Sequence, residues 1–108
     1  MVSIDESDDT IAAMLRELEQ FVAVATAGTF TAAARRVHLS QPALTAAIQR
    51  LEHEVGAPLF DRGRHGAALT AAGRELLPRA QAALAAFADG KRAVAEITGL
   101  AAGEVRVG

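Results

Sequence analysis

At 108 residues the chain holds enough material for one modest core and too little for a second large domain. Hydrophobic residues make up 51% and aromatics only 4%, so Ala, Leu, Val and Ile must build the interior, a mixture that favours helix; the absence of cysteine excludes disulfides and thiolate metal sites. The net charge of -2 conceals an asymmetry, because Asp5, Glu6, Asp8 and Asp9 crowd the first ten residues, whereas Arg35, Arg36 and Arg50 are the only charged side chains besides histidine between Gln20 and Leu51.

Residues 1–9 are polar, acidic and aperiodic, which predicts a mobile, irregular tail within a flexible amino-terminal extension over residues 1–13. Ile11, Leu15, Leu18, Val22 and Ala25 then recur at helical spacing and predict a first helix that ends at Gly28. Thr29 is placed to cap a short second helix through Phe30, Ala33, Ala34 and Val37, with His38 and Leu39 as the turn. Ser40 is a good cap for a third helix, with Gln41 and Pro42 in its first turn, where the missing proline N–H costs nothing. Along it Leu44, Ile48, Leu51 and Val55 form the inward face and Gly56 the stop, leaving Pro42, Thr45, Ala46, Gln49 and His53 on the opposite side.

Leu59 to Arg62 and Ala67 to Thr70 read as two short strands joined by a basic, glycine-bounded tip, a small wing. Thr70 can cap a fourth helix running to about Thr98, roughly 42 Å long at 1.5 Å per residue. Pro78 removes one of its hydrogen bonds and should bend it near residues 74–77. Leu76, Ala80, Ala83, Phe87, Gly90, Val94 and Ile97 alternate in steps of four and three, with Leu84 beside them, a coiled-coil type of seam that calls for a second copy of the chain. Residues 99–103 then read as a hinge and residues 104–108 alternate like the opening of a strand. The fold class expected is mainly α: three helices and a two-stranded wing over residues 14–70, then a long linker helix over residues 71–98, with residues 99–108 leading out of the domain.

No stretch approaches the roughly 18 apolar residues of a membrane span, and the start has no basic region followed by an apolar one, so a cytoplasmic protein without membrane contact is expected. His38, His53 and His65 lack metal-ligand spacing, and Glu52, His53 and Glu54 are consecutive, pointing to different sides of a helix. No nucleophile–base arrangement, phosphate loop or dinucleotide fingerprint is present, so neither catalysis nor a cofactor is expected.

The run LRELEQFVAVATAGTFTAAARRVHLSQPALTAAIQRLEHEVGAPLF at residues 15–60, continued by DRGRHGAALTAAGRELL, closely resembles the amino-terminal winged helix-turn-helix domain of LysR-type transcriptional regulators. The SQPAL pentapeptide followed by LE and LF is the most specific part of it. Met14 matches the usual start of family members, and the ending GEVRVG is similar to the first strand of the family's two-lobed effector-binding domain, so a small-molecule effector is expected only of the full-length protein.

The resemblance implies sequence-specific binding to double-stranded promoter DNA, with the third helix, about residues 40–55, in the major groove. Gln41 is then expected to bond base edges, Pro42 to touch a thymine methyl, Thr45 to meet a base or nearby phosphate, and Gln49 and Arg50 to meet phosphates. Ser40 and Thr31, at helix starts, would add positioning contacts to phosphate. Ala46 stands where the family commonly has arginine, leaving only methyl contact there. In the wing Arg62, Arg64 and His65 surround the tip at the minor groove or phosphates. The usual family arginine aligns with His65, and an imidazole with an ordinary pKa of about 6.5 is mostly neutral near pH 7, which makes Arg64 the candidate to replace it. The family also implies antiparallel pairing of the fourth helices into a homodimer that spans an interrupted inverted repeat. Arg35 and Arg36 fit a solvated helix face as well as phosphate contact. Two alternatives stay open, a winged helix that binds a protein partner and the related module of molybdate-responsive regulators.

Overall fold

A computed structural model describes the backbone of residues 4–61 and 66–107 and the side chains of residues 11–61 and 66–99. The elements run α1 (Ile4–Ala27), α2 (Phe30–Arg36), α3 (Gln41–Val55), β1 (Phe60–Asp61), β2 (Ala68–Leu69) and α4 (Ala71–Val107). The two strands pair antiparallel, Phe60 opposite Leu69 and Asp61 opposite Ala68.

Local signals account for most boundaries. Thr29 Oγ1 accepts from the Ala32 N–H at 3.0 Å and caps α2, and Ser40 Oγ accepts from the Ala43 N–H at 3.2 Å and caps α3. Gly56, at φ 84°, takes the left-handed turn that ends α3, and its N–H returns to the Glu52 carbonyl. Thr70 starts α4, accepting from the Gly73 N–H at 3.0 Å while its hydroxyl donates to the Pro58 carbonyl at 2.6 Å.

The core is small and built where the first three helices meet the base of the wing. Phe21 and Val24 of α1, Ala33 and Ala34 of α2, and Leu44, Ala47, Ile48 and Leu51 of α3 are buried together with Leu59 and Phe60. Phe60 lies between two rings, 5.4 Å from Phe21 and 5.6 Å from Phe30 between centroids, tilted in the first case and edge-on in the second. Such pairs contribute about 1 kcal/mol each beyond burial, which lets few aromatics hold α1, α2 and β1 together.

Several sequence expectations change. Where the sequence predicts an irregular tail, the backbone is helical from Ile4. At the other end, the expected hinge and strand opening are part of α4, which continues to Val107. A strand there would need a ladder partner, whereas a helix satisfies its backbone internally. The strands are shorter than expected, two residues each. Ile11 and Val55, both placed on inward faces by periodicity, are 56% and 44% exposed: Val55 is the last residue of α3, and Ile11 lies on the part of α1 that precedes the packed core.

The proposed seam of α4 also divides in two. Ala80 is 2% exposed and Leu76 packs against the same core, so the first part of the stripe is committed to the domain itself. Ala83 is exposed, Leu84 half-buried, and Phe87, Val94 and Ile97 are 53%, 63% and 72% exposed, so the second part is uncovered.

Candidate nucleic-acid interface

The third helix presents one side to the core and the other to solvent, and the solvent side is polar. Gln41, Pro42, Gln49 and His53 are exposed there and Thr45 and Ala46 half-buried, while Leu44, Ala47, Ile48 and Leu51 occupy the buried side. Four buried anchors over two turns fix the rotation of the helix about its axis, so the polar side faces outward by packing.

Two side-chain contacts bracket this face. At its start the Thr31 hydroxyl of α2 donates to Gln41 Oε1 at 3.1 Å, bringing two of the expected contact residues together. The bond occupies one lone pair and leaves the amide N–H donors of Gln41 for acceptors such as purine N7. Further along, Arg50 Nε donates to Glu17 Oε2 of α1 at 3.0 Å. Arg50, expected from the resemblance to meet phosphate, is thus also a link between α3 and α1.

The turn before α3 is held by the Leu39 N–H, which donates to the Ala34 carbonyl at 2.9 Å, with His38 at φ 61°. His38 is exposed there, as a turn residue. Arg36 Nη1 donates to Thr26 Oγ1 at 3.0 Å, so one of the two adjacent arginines is tied back to α1; Arg35 is exposed. Ser40 is exposed, and its capping role leaves the hydroxyl hydrogen available to an outside acceptor.

Arg62, Arg64 and His65 lie outside the described residues, but the base of the wing does not. The Ala67 N–H donates to the Gly28 carbonyl at 2.9 Å, tying the wing to the end of α1. Gly66 stands at φ 62°, and a Cβ on it would come within 2.6 Å of the same carbonyl, so glycine is required on both counts. On the opposite side, Leu59 donates its N–H to Glu52 Oε2 at 2.8 Å and accepts at its carbonyl from the Thr70 N–H at 3.0 Å. The wing base is therefore joined to α1, α3 and α4.

Sequence reasoning did not single out Glu17 or Gly73, and marked Gly66 only as a boundary of the wing tip. The glycine inside the helical pattern of α4 was a usable signal for Gly73, because such glycines mark close packing. Nothing local marks Glu17, whose partner is 33 residues away. Among the described residues there is no group of three or more His, Asp or Glu placed to hold a metal, and no helix is long and apolar enough to cross a membrane.

Three helices with a reading face on the third and a paired two-stranded wing define a winged helix-turn-helix domain. The chain matches the description "Bacterial regulatory helix-turn-helix protein, lysR family" over residues 15–74, more than half its length, and it belongs to that family. It is 54% identical over 71 residues to the HTH-type transcriptional regulator TfdT of Cupriavidus pinatubonensis, an alignment covering 66% of this chain and 31% of the relative. Among solved structures it is similar to the CbnR_DBD–DNA complex, at 43% identity and a TM-score of 0.69, covering 77% of this chain and 97% of that one. A BenM_DBD complex with benA site 1 DNA matches at 33% identity and a TM-score of 0.75, covering 78% and 94%. The chain spans about a third of the length of the curated relative, 31%.

Proposed function

We propose that this chain is the DNA-binding part of a bacterial transcriptional regulator and recognises double-stranded DNA as a homodimer, with a regulatory and not a catalytic role in the cytoplasm. The observation that carries this reading is the uncovered polar face of α3, bracketed by Thr31 and Glu17 and backed by four buried apolar residues. An α-helix fits the major groove, and the amide and hydroxyl groups of Gln41 and Thr45 suit base edges, with Pro42 and Ala46 offering methyl-sized apolar contact. Residues 14–70 form the reading domain and residues 71–98 the linker that pairs two copies. Two heads spanning an interrupted inverted repeat read enough base pairs to be selective, which one cannot. Relatives named as regulators, and solved neighbours whose descriptions include DNA, support the assignment. A small-molecule effector would act only on the full-length protein.

Selection of bound duplexes from random DNA by this chain is expected to return an inverted repeat. Gln41→Ala should relax the preference at one position of each half-site by about 1–3 kcal/mol while leaving the others in place. If no duplex is retained even in dilute salt, the reading fails.

The wing makes a separate prediction from sequence. Arg64→Ala should weaken binding and flatten its salt dependence by about one phosphate contact, and His65→Ala should do so less. Equal effects of the two in salt titrations would refute the assignment of the contact to Arg64.

A further inference from the structure

Arg50 is anchored in an uncommon way for a side chain at the rim of a binding face. Its side chain is 64% exposed, yet its Nε is bonded to a carboxylate whose own side chain is only 11% exposed. No other partner of the guanidinium is found among the described residues. Glu17 sits on α1, which packs against α3, and the bond at Nε rather than at the guanidinium tip restrains the group while engaging neither terminal nitrogen. No bond holds Nη1 or Nη2 among the described residues, and Arg50 stands one turn along α3 from Ala46. A guanidinium restrained at Nε and open at its two terminal nitrogens matches the geometry for bidentate contact with a phosphate.

We propose that Glu17 is a positioning residue for duplex binding: it presets Arg50 to clamp a backbone phosphate at the edge of the groove that α3 enters. The proposal rests on the reading of α3 as the groove-entering helix. An arginine on a flexible stem loses rotamer freedom when it meets a phosphate, and Glu17 removes most of that freedom before DNA arrives. Ala46 makes the arrangement more consequential, because the neighbouring outward position supplies no cation of its own. Glu17 also carries a negative charge that on general grounds repels DNA, so its removal alone mixes two effects. The pair must be examined as a cycle.

The experiment uses the 108-residue chain and a mixed-sequence duplex of about three helical turns at low salt, with wild type, Glu17→Gln, Arg50→Gln and the double variant. Each retains a hydrogen-bonding side chain at both positions, and thermal melts confirm that each is folded. Arg50→Gln is expected to lower the salt slope by about 0.9, the value for one phosphate. The effect of Glu17→Gln is expected to be about three- to tenfold less favourable in the Arg50 chain than in the Arg50→Gln background, where only the general charge effect remains. Arg50→Lys, which keeps the charge but lacks the Nε–H and the fork, should bind more weakly than wild type but more tightly than Arg50→Gln at moderate salt, while retaining the wild-type salt slope. Equal effects of Glu17→Gln in both backgrounds, or an Arg50→Gln slope identical to wild type, would overturn the proposal while leaving the DNA-binding reading intact. A wild-type chain with no attraction to duplex would overturn both.

Discussion

Gly73→Ala is expected to destabilise the domain by about 3 kcal/mol or more, at the upper end of overpacking costs, although it replaces the poorest ordinary helix former with the best. A Cβ at this position would meet the Leu59 carbonyl oxygen at 2.3 Å and Leu69 Cδ2 at 2.8 Å. The leucine methyl can move. The carbonyl cannot move cheaply, because it accepts from the Thr70 N–H and belongs to a buried residue whose N–H is held by Glu52. Relief therefore requires α4 to lift from the base of the wing, which would uncover Leu59 and Ala80 together. A drop in melting temperature on the order of 15 °C is the expected reading in a thermal unfolding experiment. Gly99→Ala provides the contrast, since nothing stands within 4 Å of a Cβ there, and helix propensity alone should leave stability unchanged or raised by up to about 1 kcal/mol. Equal melting temperatures for Gly73→Ala and wild type would show that the close approach is not rigid.

The second large effect concerns assembly. Phe87→Asp is expected to convert a dimer into a monomer, with the association constant falling by about a thousandfold. Phe87 is 53% exposed in the single chain, with Val94 at 63% and Ile97 at 72% further along the same helix. The Lys91 ammonium lies 5.8 Å from the ring centroid and leaves much of it uncovered. In a two-fold interface each substitution acts twice. Losing about 2 kcal/mol of aromatic burial per copy removes about 4 kcal/mol, and placing a carboxylate in the contact adds to it. Sedimentation equilibrium should report the monomer mass at micromolar concentration, and affinity for an inverted repeat should fall with it because the second head is no longer tethered. A dimer that persists would move the pairing surface away from the distal half of α4.

The same helix shows how far periodicity reaches. Spacing identified a continuous stripe from Leu76 to Ile97, and the stripe exists; what spacing lacks is the identity of the covering surface. Leu76 and Ala80 pass over the domain core and are covered by their own chain, whereas Phe87, Val94 and Ile97 lie beyond it. Ile11 and Val55 differ from expectation for a related reason: the apolar pattern runs past the stretch of each helix that the core covers. Caps were legible because they depend on residues three or four apart, as at Thr29, Ser40, Gly56 and Thr70. The polar face of α3 was legible through its buried complement. Glu17 and the two constrained glycines, Gly66 and Gly73, were not, because each is defined by a tertiary approach: to Arg50, to the Gly28 carbonyl and to the Leu59 carbonyl.

The knot at Leu59 has a mechanical consequence. One residue is fastened by its N–H to the end of α3 and by its carbonyl to the start of α4, with no slack segment in between. Beyond Ala80, the last core residue of α4, the helix extends about 40 Å to Val107, so a rotation of one degree there displaces the far end by about 0.7 Å. In the proposed dimer, a torque applied to that far end would reach α3 through this junction, and the separation of two half-sites would then depend on how the two helices cross.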